Sequence, residues 1–264
     1  MPTTYKMAGN SIHILCTRPV DTALIEQAAA SGIQVDVIEF IHTVAIGGDV
    51  LSKEMDAVSV SASNVIFTSM NAVEAVTDLL HGKKPRWNIY CMGNTTRQLV
   101  IKYFGEASLK GTGFNATDLA NTIASNRIAT KDTNDCIFFC GDQRRDELPA
   151  ILQANDISLK EITVYKTIET TNKVEKSYDA ILFFSPSAVH SFFKTNRVNN
   201  RTVFYAIGET TASAIKQYAV NKIIIGNTPA KDELFRLCIS NFTERNNNRQ
   251  TEINTGNGQP ATGN

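Results

Sequence analysis

Short continuous apolar runs alternate along this chain with stretches where apolar residues recur every three to four positions. The runs are His13–Thr17, Val35–Ile38, Val65–Thr68, Ile89–Met92, Cys136–Cys140, Ile162–Val164, Ala180–Phe184, Val203–Ile207 and Lys222–Ile225. Runs without a polar alternate fit strands covered by helices on both faces. The helical spacing predicts helices over Asp21–Ala30, Asn71–Leu80, Thr95–Phe104, Ala116–Ala124, Asp146–Ala154, Ser187–Lys194, Thr210–Tyr218 and Ala230–Asn241. In Asn71–Leu80, for example, Ala72, Val73, Ala75, Val76, Leu79 and Leu80 form one stripe facing a sheet. Strand and helix alternate nearly throughout, which predicts an α/β protein with parallel sheets.

The pattern is also repeated. Ala72 and Val73 match Ala188 and Val189 at an offset of 116 residues. Gly93, Thr95, Thr96, Tyr103 and Leu119 match Gly208, Thr210, Thr211, Tyr218 and Leu234 at an offset of 115. Ile14-Leu15-Cys16 matches Phe138-Phe139-Cys140, and Leu24, Ile33 and Ile38 match Leu148, Ile157 and Ile162, all at an offset of 124. Two copies of a two-part unit are therefore expected, each building a small lobe. Repetition alone leaves the pairing of the four parts open. They can join in chain order. They can also interleave, the first part with the fourth and the second with the third. Interleaving needs two crossing strands, for which the β-branched stretches Val35–Ala45 and Ser158–Ile168 are suited. From about Thr243 onward apolar residues nearly vanish and no period survives, which predicts a disordered tail over 243–264; the first ten residues are similarly loose.

Composition narrows the function. The 264 residues carry 26 Lys+Arg against 26 Asp+Glu, so no excess of positive charge advertises nucleic acid or an anionic membrane. No apolar run approaches the roughly 20 residues that span a bilayer, and the N-terminus has no secretory pattern, so a cytoplasmic protein is expected. The five cysteines are odd in number, lack a Cys-x-x-Cys pair and lie largely in strand-like runs. They read as reduced core thiols, and with scattered histidines no metal site is expected.

The candidate chemistry lies where strands run into helices. Ser69 and Asn71 follow one strand, and Ser185 and Ser187 follow its repeat. Thr95 and Thr96 follow Gly93, and Thr210 and Thr211 follow Gly208. Such junctions leave free backbone N–H groups at a helix N-terminus, where anions bind. The same side chains also serve as ordinary helix caps, worth about 0.5–2 kcal/mol each. Arg145, in the turn after Gly141, and Arg18, in Thr17-Arg18-Pro19, are each able to grip a carboxylate or to pair with an acidic neighbour. Tyr165 packs in a strand or serves as a proton donor. There is no Ser-His-Asp or Cys-His set and no convincing carboxylate pair. An enzyme of this composition works with few side-chain acids and bases, mainly by positioning and backbone donors.

In order and spacing, these pieces resemble the uroporphyrinogen-III synthase family. The resemblance rests on Thr17-Arg18-Pro19, Phe67-Thr68-Ser69 with Asn71-Ala72-Val73, Gly93-Asn94-Thr95-Thr96, Gly141 with Arg145 and Leu148, Val164-Tyr165-Lys166-Thr167, Phe184-Ser185-Pro186-Ser187-Ala188 and Ile207-Gly208-Glu209-Thr210-Thr211-Ala212, and covers roughly residues 12–241. It implies two doubly wound, flavodoxin-like parallel-sheet lobes joined by a two-stranded ladder, in the interleaved arrangement. Residues 12–38 and 170–241 would form one lobe and 45–160 the other, with 35–45 and 160–169 as linkers and Tyr165 beside the cleft between lobes. The implied reaction closes the linear tetrapyrrole hydroxymethylbilane, with loss of water and inversion of the last ring. An azafulvene and then a spiro intermediate lie on the path. The substrate's eight carboxylates suit repeated helix N-termini. The resemblance also implies Tyr165 as proton donor to the leaving hydroxyl, no cofactor, and transient hand-over of the substrate from the enzyme that makes it; a monomer is expected because no large apolar face is left unassigned. Met70 and Asn71 depart from the family pattern, which often has Pro and a basic residue there. A non-catalytic two-lobed binding or sensing protein for a polyanion is the alternative.

Overall fold

A computed structural model describes residues 11–61, 63–130, 135–228 and 230–256. The loose N-terminal segment expected over residues 1–10 lies outside the described residues, as does the end of the predicted tail. The chain divides into two compact units, one of residues 1–42 with 169–264 and the other of residues 43–168.

The first unit holds a five-stranded sheet. Its strands are β1 (Ile12–Cys16), β2 (Ile33–Val37), β9 (Ala180–Phe183), β10 (Val203–Ala206) and β11 (Ile223–Ile225), in the order β11-β10-β9-β1-β2, and every pairing is parallel. Because successive side chains point to opposite faces, each strand feeds two cores. Ile14, Cys16, Leu182 and Tyr205 pack under helices α1 (Thr22–Ala30) and α9 (Lys231–Gly256). Leu15, Ile181, Phe183 and Phe204 pack under α7 (Pro186–Thr195) and α8 (Glu209–Lys216).

The second unit holds a six-stranded sheet in the order β3-β8-β7-β4-β5-β6. Its strands are β3 (Ile41–Ala45), β4 (Asn64–Phe67), β5 (Asn88–Met92), β6 (Leu109–Gly113), β7 (Cys136–Gly141) and β8 (Leu159–Glu169), and the run from β8 to β6 is parallel. Val65, Phe67, Ile89 and Phe139 face α2 (Asp49–Ser59), α3 (Met70–Leu79) and α4 (Asn94–Phe104). Ile66, Tyr90, Phe138 and Cys140 face α5 (Ala116–Thr130) and α6 (Glu147–Ala154).

Strand order decides the question left open by the repeat. β1 and β2 pair with the late strands β9–β11, whereas β4–β6 pair with β7 and β8, so the two copies interleave. Three expectations change. Residues 35–45 do not form one strand: β2 ends at Val37, and β3 starts only at Ile41, in the other sheet. The run predicted over Ile162–Val164 extends into the longer strand β8, so Tyr165 lies within the strand rather than just past its end, beside a register shift opposite Cys140 and Gly141. Helix α9 continues past Thr243 into the predicted disordered tail. A helix nucleated on the packed residues Leu234, Phe235, Cys238 and Phe242 gains one hydrogen bond for each residue added, which carries it into polar sequence. Two elements, α2 and β6, go unmarked by the sequence pattern. The edge strand β6 reads LKGTG, and it is held by pairing with β5 and by α5 packed against it rather than by apolar content.

All five cysteines are buried, and none forms a disulfide. Burial pushes the Cys16 thiol up to about 12 and the Cys91 thiol to about 11, so both stay protonated and inert at neutral pH. Among the described residues, no group of His, Cys, Asp or Glu is placed to hold a metal ion, and no helix is long and apolar enough to cross a membrane.

Candidate active site at the strand ends

In a parallel sheet the C-terminal ends of all strands lie along one edge, where ligands bind in folds of this type. In the second unit that edge carries Tyr165 on β8, the Gly141–Arg145 turn after β7, Ser69 and Asn71 after β4, and Thr95 and Thr96 after β5. Tyr165 reaches the edge because its register partner is Gly141, the last residue of β7.

Ser69 and Tyr165 are brought into direct contact. Ser69 is the N-cap of α3: its extended backbone (φ −146°) precedes the helix, and its Oγ accepts the Ala72 N–H at 3.2 Å. The same hydroxyl donates to the Tyr165 Oη at 3.2 Å. The positive end of α3 is thereby relayed through one hydroxyl to the phenol oxygen. Burial raises the Tyr165 pKa above its ordinary value, and the Ser69 hydrogen bond partly opposes that rise. The phenol is therefore protonated at neutral pH, and the hydrogen bond it accepts from Ser69 favours the phenolate that would form on losing the proton.

Gly141 makes room for the ring. A Cβ there would lie 2.4 Å from the Tyr165 Cζ and 2.8 Å from its hydroxyl oxygen. The backbone around the tyrosine is also fastened. The Asp142 N–H donates to the Tyr165 carbonyl at 3.1 Å, and the Asp142 Oδ1 accepts the Thr167 N–H at 2.9 Å. Residue type alone does not show these supporting roles of Gly141 and Asp142. The signal available in sequence is only that a strand ends in Gly-Asp opposite a tyrosine strand.

The Gly93 turn works differently. Gly93 has φ +80°, a conformation that disfavours side chains, and caps α4 with no side-chain hydrogen bond. Neither threonine caps the helix. Thr95 is exposed at the second helical position and Thr96 is buried at the third. Asn71 is half-buried at the second position of α3. Arg145 is exposed, and its neighbour Arg144 forms ion pairs with Glu161 and Asp146.

The first unit repeats this edge on β1, β9 and β10. Ser185 caps α7 and accepts the Ala188 N–H at 3.2 Å, as Ser69 does in its own copy. Pro186 takes the first helical position, which Met70 holds in the other copy, and Ser187 follows, half-buried. Gly208 caps α8 without a side-chain hydrogen bond. Thr210 is exposed and Thr211 is 1% exposed, so in both copies the accessible hydroxyl of the pair is the first. Arg18 is exposed beyond the end of β1. At the repeat offset of 124 residues, Tyr165 corresponds to Ile41, so the phenol belongs to one copy alone.

Two open, mainly parallel sheets, each presenting serine-capped and glycine-capped helix N-termini along the edge formed by its strand C-terminal ends, have the arrangement at which α/β folds commonly receive small anionic ligands. One edge adds the half-buried phenol of Tyr165, protonated at neutral pH. The chain belongs to the uroporphyrinogen-III synthase family, whose model, described as uroporphyrinogen-III synthase HemD, matches residues 22–236. This is a family of cyclising lyases of heme biosynthesis, acting on a tetrapyrrole. The fold is similar to that of uroporphyrinogen-III synthetase from Helicobacter pylori, with TM-score 0.59 and 14% identity over 87% of this chain and 99% of that one. It is also similar to a mutant uroporphyrinogen III synthase from Thermus thermophilus, with TM-score 0.57 and 11% identity over 89% of this chain and 98% of that one.

Proposed function

We propose that this family member closes hydroxymethylbilane to uroporphyrinogen III with Tyr165 as proton donor. The observation that carries the assignment of roles is the Ser69–Tyr165 contact on a strand-end edge. The phenol gives its proton to the departing hydroxyl, which leaves as water and generates the azafulvene in its cationic, N-protonated (azafulvenium) form. The phenolate left behind is held by the Ser69 hydroxyl and, through it, by the N-terminus of α3. The far ring attacks at its substituted carbon to give the spiro intermediate, which fragments and recloses with that ring inverted. The proton lost as the final pyrrole regains aromaticity returns to Tyr165, so the net change is loss of one water.

The carboxylates are held by donors rather than by a dense cationic patch. On the second unit these are Thr95, the first-turn N–H groups of α3 and α4, Asn71 and Arg145. On the first they are Ser187, Thr210, Arg18 and the first turns of α7 and α8, with Ser185 and Ser69 shaping their helix entries. Thr96 and Thr211 support their turns from inside. The protein acts as a monomer in the cytoplasm, takes its substrate from the enzyme that makes it, and uses no cofactor or metal.

The test is a coupled isomer assay. Hydroxymethylbilane is generated enzymatically in the presence of the purified protein, and the oxidised products are separated by chromatography. Isomer III in excess, with no added metal or cofactor, is the expected result. Isomer I alone, from protein shown to be folded, overturns the assignment.

A further inference from the structure

The chain has thirteen phenylalanines, and twelve of them behave as core residues. Ten are buried, and Phe104 and Phe184 are half-buried. Phe114 is 86% exposed and joins none of the hydrophobic cores among the described residues. A single exposed apolar residue is ordinary on a protein surface. Position and backbone set this one apart.

Phe114 directly follows β6, so it stands on the same C-terminal edge as Tyr165, Ser69 and Thr95. Its turn is tied to the Gly93–Thr96 turn beside it, because the Gly93 N–H donates to the Gly113 carbonyl at 3.1 Å. On the other side Asn115 caps α5, its Oδ1 accepting the Asp118 N–H at 2.8 Å. Gly113 is pressed against α5: a Cβ there would lie 2.3 Å from the Leu119 nitrogen. The backbone on both sides of Phe114 is thus fastened, while its ring is left in solvent. An exposed aromatic on a fastened backbone, beside the helix N-terminus proposed above to hold a carboxylate, matches a ligand made of flat rings that bear carboxylate arms.

We infer that Phe114 is a substrate-contacting residue whose ring stacks on a pyrrole of the linear tetrapyrrole while a carboxylate arm of that pyrrole reaches the Gly93–Thr96 turn. The inference rests on the proposed function. A stacked contact of this kind acts on substrate and transition state alike, so its loss raises KM and leaves kcat nearly unchanged.

The test compares wild type, Phe114→Ala, Phe114→Tyr and, as a control, Val60→Ala at another exposed position. KM and kcat for isomer III formation are read together with the melting temperature. Phe114→Ala is expected to raise KM roughly five- to tenfold, the size of one aromatic contact, with kcat within twofold. Phe114→Tyr keeps the ring and should restore the wild-type KM, and Val60→Ala should not move it. In Phe114→Trp, the new exposed indole should be quenched saturably by uroporphyrin III, whereas Trp87 in the wild type is buried. Unchanged KM in Phe114→Ala, or a Phe114→Trp emission indifferent to uroporphyrin III, overturns the inference while the wild-type activity leaves the functional assignment standing. A wild type that forms only isomer I brings down both.

Discussion

Gly141→Ala is the sharpest probe of the Tyr165 arrangement, because it adds one methyl group and removes no functional atom. Gly141 does not adopt a left-handed backbone, so alanine brings no conformational strain, and its whole effect comes from contact. The added Cβ would lie 2.4 Å from Cζ and 2.5 Å from Cε2 of Tyr165. Carbon atoms rest about 3.5–4.0 Å apart, so the ring has to retreat by about 1 Å or more. Tyr165 packs against the core of its unit and its backbone is tied to Asp142, so the retreat breaks the 3.2 Å contact with Ser69. Overpacking of this kind costs about 1–3 kcal/mol. A proton donor displaced by about 1 Å loses roughly 100-fold in rate. Isomer III formation should therefore fall by about two orders of magnitude in kcat, with a lower melting temperature and a KM close to wild type. The assay is the coupled isomer measurement at saturating hydroxymethylbilane, with thermal denaturation of the same preparations. Wild-type kcat in folded Gly141→Ala would refute the reasoning, because a ring in the observed position and an alanine cannot coexist.

Other outcomes follow from the same structure. Tyr165→Phe should lower kcat by roughly 100- to 10,000-fold, the usual range for a lost acid–base group, while Ser69→Ala should cost less rate and about 1 kcal/mol of stability as its cap on α3 is lost. Gly93→Ala forces a side chain to φ +80° and should destabilise by roughly 1–2 kcal/mol. Gly208→Ala meets an extended backbone and no atom within 4 Å, so its melting temperature should hold while KM rises if ligand approaches there. The Asp36 carboxyl is held below its ordinary value of 3.8, first by the hydrogen bond from Tyr178 at 2.7 Å and then by Lys176. A depressed carboxyl contributes stability above its unfolded value, lost as pH falls through the folded one. Acid melts below about pH 4 should thus show a steeper decline for wild type than for Tyr178→Phe; parallel curves would remove this pair from the acid response.

The class of fold was legible along the chain because its signals are local. Ile137 to Cys140 is apolar without interruption, and Ala72 to Leu80 keeps helical spacing; either pattern fits only one kind of element in a covered parallel sheet. Ser69 and Ser185 were legible as caps for the same reason, each needing only the backbone N–H three residues ahead. Strand β6 was not legible, since LKGTG becomes a strand only by pairing with β5. The helix beyond Thr243 was not legible either, because its polar sequence inherits order from the packed turns before it.

Which copies combine was a different kind of question. Nothing within β1 states that its neighbours are β2 and β9, some twenty and more than a hundred and sixty residues away. Nor does Tyr165 carry any mark of Gly141 beneath its ring or of Ser69 at its hydroxyl, 96 residues back. Periodicity, capping and turn residues record interactions within a few positions of themselves, and these the amino-acid order states directly. Strand pairing and the surroundings of a phenol are set by how many distant surfaces are buried at once, and that is decided only when the whole chain packs.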